Sequence, residues 1–171
     1  MNFHHYLSGG DLRSIGRSGE LLKIIKTQED FDNLFAYLRS SDRILAMRAA
    51  DVIEKLSASK PQFLDSHADD ILELASLDIG KEIKWHIAQI IPRVKIDEIQ
   101  KAKIREILLG WAKNMKESKI VRANSLQSLY ELSKDDNDLS VQFNKVIKQI
   151  KQENIPSLNA RIKQMMLTGN N

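Results

Sequence analysis

Apolar residues in this chain recur at spacings of three and four, not two. Three twelve-residue stretches carry the pattern most cleanly and align without gaps: LAMRAADVIEKL from Leu45, IKWHIAQIIPRV from Ile83 and VRANSLQSLYEL from Val121. Their starts lie 38 residues apart. In all three the same positions are apolar or small: 45/83/121, 49/87/125, 52/90/128, 53/91/129 and 56/94/132. That set, i, i+4, i+7, i+8 and i+11, is the stripe of an amphipathic helix packed on a core. A fourth, weaker copy starts at Leu158 (LNARIKQMM), where Lys163 takes the place of the apolar Leu126. Such a change fits the end of a stack, where no neighbour covers the position.

A second set of helices lies between these, with its own apolar rows: Phe31, Leu34, Phe35, Leu38; Phe63, Leu64, Ile71, Leu72, Leu74; Ile104, Ile107, Leu108, Trp111; and Phe143, Val146, Ile147, Ile150. Thr27 with Asp30, and Ser66 with Asp69, have capping-box-like spacing. Pro61 and Pro156 suit a first helical turn, where a missing N–H costs nothing. The step from Leu64 to Ile71 is too wide for one even row, which predicts a kink near Ser66. The resulting map places helices at 28–39, 42–58, 61–76, 80–94, 97–113, 118–133, 138–152 and 156–167, with no strand. Four antiparallel helix pairs follow, with Leu56, Ile91, Val94 and Leu132 expected between them.

A helical pair of about 38 residues, whose second helix reads Val121-Arg122-Ala123 and then small and apolar residues to Leu132, resembles a HEAT repeat. The resemblance covers about residues 28–167 and implies an all-α, right-handed α-solenoid of about four HEAT-like pairs. More narrowly, Met47–Lys55 (MRAADVIEK) and Lys81–Val94 (KEIKWHIAQIIPRV) resemble a group of small prokaryotic HEAT-like proteins. That likeness sharpens the fold and names no activity. Residues 27–171 are read as the repeat domain. Residues 1–26 depart from it: Gly9, Gly10, Gly16 and Gly19 predict a mobile, loosely attached arm, and Ser18 to Lys26 a short capping helix.

Composition narrows the chemistry. The 171 residues hold no cysteine, which excludes disulfides, thiolate metal sites and a Cys nucleophile. No apolar run approaches the roughly 20 residues of a membrane span. The start, Met1-Asn2-Phe3-His4-His5, lacks the layout of a secretory leader, so a cytoplasmic location is the expectation. Charge is uneven: residues 41–80 carry 4 basic and 8 acidic side chains, residues 81–133 carry 11 and 6. The signs alternate within helices, which reads as a solvated surface more than as the clustered basic stripe of a nucleic-acid footprint.

In HEAT folds the second helix of each pair lines the concave face, so the resemblance makes its non-core stripe the candidate binding surface. In register the copies give three ladders: Arg48–His86–Asn124, Asp51–Gln89–Gln127 and Lys55–Arg93–Glu131. Positions i, i+3 and i+7 share a helix face, so these nine side chains form one patch, flanked by Met47, Trp85 and Ala123. Two readings stand: the ladders bond one another, as Arg48 and Asp51 can, or they bind a partner, with Trp85 as the anchor. Pro92 cannot donate to the Ala88 carbonyl, which predicts a bend and a free acceptor beside the patch.

Enzyme readings find less support. HEAT-like metalloenzymes such as deoxyhypusine hydroxylases use repeated His-Glu pairs, and no histidine here is followed by Glu. His4-His5 alone does not make a metal site. HEAT-like alkyl-DNA glycosylases combine a basic concave channel, aromatics and an acid. Asp51, Trp85 and Arg93 can be cast in those roles, but only by analogy of fold. The glycines at 9, 10, 16 and 19 lack the Gly-Lys-Ser/Thr ending of a phosphate loop. The expectation is therefore a non-enzymatic interaction module without cofactor or metal. It binds a protein or peptide segment through Arg48, Asp51, Lys55, Trp85, His86, Gln89, Arg93, Asn124, Gln127 and Glu131. Nucleic-acid binding is the alternative, and pairing of two chains through the apolar end of the stack a third reading.

Overall fold

The structure, a computed structural model, describes residues 3–10 and 16–168. Each amphipathic stretch becomes a helix, and most begin where a short polar side chain holds the first free N–H groups. Thr27 and Asp30 form a reciprocal capping box ahead of α3 (Gln28–Phe35). Asp42 accepts from the N–H groups of Ile44 and Leu45 to start α4 (Arg43–Ser59). Asp97 and Gln100 form a second box before α7 (Glu98–Lys113). Ser118 caps α8 (Lys119–Leu132), and Asp136 caps α9 (Asn137–Gln152). Pro156 opens α10 (Pro156–Thr168). The remaining second-layer helix, α6 (Lys81–Ile90), follows Gly80.

The predicted kink near Ser66 is a break. A single turn at Pro61–Leu64 is followed by α5 (Ala68–Ser76), which starts after His67 without a side-chain cap. The capping expected of Ser66 is therefore absent. Its hydroxyl instead accepts from Gln28, 3.4 Å away.

Helices α3/α4, α5/α6, α7/α8 and α9/α10 pair in turn. The second members, α4, α6, α8 and α10, pack in series as one layer, and α5, α7 and α9 in series as the other. No strand occurs among the described residues. This is an all-α solenoid. Leu56, Ile91 and Val94 are buried between pairs as expected, whereas Leu132 is only partly covered. Side chains also tie each pair to the next: Gln28 donates to the Phe63 carbonyl, and His67 Nε2 meets Asp32 at 2.7 Å. Further on, Arg43 forks onto buried Glu82, and Arg105 pairs with Asp136.

The segment before Thr27 does not match the expectation of a loose arm. Short helices α1 (His4–Leu7) and α2 (Ser18–Ile24) both pack on α4, where a preceding pair would otherwise sit. Phe3, Leu7, Leu21 and Ile25 expose no surface. Arg48, only 1% exposed, donates from Nη1 to the carbonyls of Leu7 at 2.6 Å and Ser8 at 3.0 Å. Gly16, at φ +54°, lies so close that a Cβ would stand 2.9 Å from that same Nη1. Glycine is used here for a left-handed backbone pressed against a guanidinium, which is a packing role. Residues 11–15 of the arm, and 169–171 at the other end of the chain, lie outside the described residues.

Candidate partner-binding face

The structure sorts the ten candidate residues into three groups. Arg48 is spent on the arm and is not presented. The other charged ladder residues are occupied by neighbours. Lys55 pairs with Asp51 one turn earlier on α4, at 2.7 Å. Arg93 reaches back across the seam to α4. Its Nη1 donates to the Glu54 carbonyl at 2.6 Å and to Ser57 Oγ at 2.9 Å, and its Nη2 pairs with Glu54 Oε1 at 2.9 Å. Arg93 thus holds two repeats together. Glu131 accepts from Gln127 Nε2 at 2.9 Å.

The third group is neutral and has few bonds or none. His86 and Asn124, at matching positions of α6 and α8, are each 7% exposed. Neither side chain has a hydrogen bond, and His86 Nδ1 is fully enclosed without one. Burial pushes the His86 imidazole below its ordinary value; Asp51 and Glu54 oppose that push and Lys55 adds to it. The ring is therefore neutral at pH 7, with one nitrogen donating and the other accepting. Trp85 lies beside it, ring centroids 5.3 Å apart, and is half-buried. Gln89 makes one long contact, from Nε2 to the Trp85 carbonyl at 3.4 Å.

Pro92 acts as expected in part. α6 stops at Ile90 and a single tighter turn covers Ile91–Arg93. The Ala88 carbonyl that loses its helical donor is not free. The Ser128 hydroxyl of α8 donates to it, one repeat further along. Sequence reasoning found the orphan acceptor and missed its donor, although a Ser among apolar residues at position 128 was visible. It also missed Glu54, adjacent to the ladder residue Lys55. A further omission is Arg122, 1% exposed, which donates to the Ala112 carbonyl at 2.9 Å and pairs with Glu153 at 2.8 Å.

About half of the basic side chains of residues 81–133 are occupied in the same way. Lys84, Lys95 and Lys101 pair with Glu117, Asp65 and Glu98, as Arg93, Arg105 and Arg122 do with their own acids. Among the described residues, no cluster of three or more His, Asp or Glu side chains is arranged to hold a metal ion. No described helix is long and apolar enough to cross a membrane.

Comparison with known proteins adds one match. A family model described as HEAT repeat domain covers residues 13–168. It starts inside the N-terminal segment, not at the first full pair. No curated protein and no solved structure matches the chain.

Proposed function

This chain belongs to the HEAT repeat domain family, and we propose on that premise that it is a non-enzymatic interaction module. It takes a segment of a partner protein on the face of α4, α6 and α8, the concave side of a HEAT stack. One observation carries the reading: His86 and Asn124 sit at equivalent positions of adjacent helices, more than nine-tenths buried, without an internal partner. The His86 Nε2 and the Asn124 carboxamide are not enclosed and have no internal bond, which leaves them open to a partner. Trp85, beside them, supplies the aromatic surface that interfaces favour. Phosphate binding is less well served, because the cations nearest this face already have carboxylate partners.

The test is site-directed photo-crosslinking in native cells. A photoreactive residue in place of Gln89, on this face, should capture a protein, and one in place of Lys103, exposed on α7, should not. Capture at Lys103 alone would place the interface on the other layer. Capture of nucleic acid at Gln89, lost between about 50 and 200 mM salt, would replace the protein reading with the nucleic-acid one.

A further inference from the structure

We infer that the partner segment is bound in an extended conformation and read mainly through its main-chain amides, an inference that rests on the face proposed above. Which groups on that face remain available decides the chemistry. Its charges are matched internally, Asp51 by Lys55 and Glu54 by Arg93. The unsatisfied groups are neutral and two-sided. His86 Nδ1 is enclosed, so the ring offers Nε2, donor or acceptor by tautomer, and Asn124 offers a carboxamide with both. Gln89 and Gln127 stand three residues further along the same helices, and neither carboxamide oxygen receives a hydrogen bond. A phosphate or carboxylate needs donors only, and an ammonium needs acceptors only. A peptide group offers one N–H and one C=O side by side, which is what these side chains complement.

The first repeat already shows such a bond. Arg48 occupies the position equivalent to His86 and Asn124, and its ligands include two main-chain carbonyls, those of Leu7 and Ser8. Ser8 is extended, at φ −82° and ψ 171°. The arm thus fills the first place of the series with backbone, and the next two places are unfilled. Spacing agrees with an extended occupant. Packed helices lie about 8–10 Å apart, and an extended chain advances about 3.3 Å per residue. Successive helices would therefore meet every third peptide group, leaving the side chains between largely unread. Partner choice would then be tolerant of sequence, with Trp85 favouring an apolar residue near His86.

The experiment uses random 12-residue peptides displayed on phage, selected against the full chain. Selected peptides, made synthetically, should lose at least tenfold in affinity when single backbone nitrogens are methylated, at positions about three residues apart. His86→Phe and Asn124→Leu should each abolish peptide binding while leaving the melting temperature unchanged or higher, because neither side chain makes an internal hydrogen bond. Three results would overturn the inference. If peptides bind on this face but tolerate methylation, recognition is by side chains, and only the main-chain inference fails. If no peptide is enriched, or bound peptides map to another face, the proposed function fails with it. If both substitutions lower the melting temperature, the two side chains are structural and the inference fails.

Discussion

At the α4 end the stack is closed by added chain, and at the α10 end by altered composition. Phe3, Leu7, Leu21 and Ile25 are buried over α4, and the guanidinium of Arg48 is enclosed with them. Over α10 no further described helix packs on its outer side. Lys163 and Gln164 meet solvent there directly, and Leu167 is 63% exposed. Terminal repeats need a polar outer surface, and these two ends reach it by different routes. The first route depends on long-range contacts and the second on side-chain identity alone, so the two ends should respond very differently to mutation.

The largest contrast is expected at Phe3. Phe3→Ala removes a ring with no exposed surface and should cost about 3–5 kcal/mol in urea denaturation. A change below about 0.5 kcal/mol, the range of ordinary surface substitutions, would mean that the arm contributes nothing to closure. Arg48→Met keeps the length of the side chain and removes its bonds to the Leu7 and Ser8 carbonyls. A loss of about 1.5–3 kcal/mol should follow, with faster hydrogen exchange in α1 than in α10.

Between the ends, His86 provides a measure that depends on neither closure. Its folded-state value is depressed by burial, so the unfolded chain takes up a proton more readily. Stability is therefore fully present above the ordinary histidine value of about 6.5 and declines as pH falls below it toward the folded value. Melting temperatures from pH 8 to 5.5 should show that decline, and His86→Phe should flatten it. The smallest effect is expected at the far end. Leu167→Ser should change stability by no more than about 0.5 kcal/mol in the same urea experiment. A larger loss would show that α10 is covered in solution, as pairing of two chains through this end would require.

The same contrast explains what could be read from sequence. The repeat, the eight main helices, the Thr27–Asp30 box and the break near Ser66 all follow from local spacing. They need only a helix's own period and its first turn. The α10 end was legible for that reason, since Lys163 stands where Leu126 does. The arm was not. Its glycines suggest mobility, and its four buried apolar residues find their partner on a helix some twenty to forty residues away in sequence. Arg48 and Arg93 fall on the expected binding face because their positions lie in the non-core stripe of the second helices. Their acceptors, main-chain carbonyls and an acid one residue from the ladder, emerge only once repeats are set side by side. His86 and Asn124 fall on the candidate face by register, but their burial without internal bonds follows from packing, which no spacing rule reports.

The bond from Ser128 to the Ala88 carbonyl bears on whether these repeats are interchangeable modules. Pro92 creates the need in one copy and Ser128 meets it in the next. The equivalent of Ser128 in the second copy is Ile90, and the equivalent of Pro92 in the third is Tyr130. Duplicating the second copy in tandem would set an isoleucine against a carbonyl that needs a donor. Reversing the two copies would separate the proline from its hydroxyl. Shared hydrophobic spacing would still allow such rearranged chains to form helices, but this seam would carry a defect in each. The copies have diverged into a fixed order, and lengthening this solenoid by recombination would have to begin at another junction.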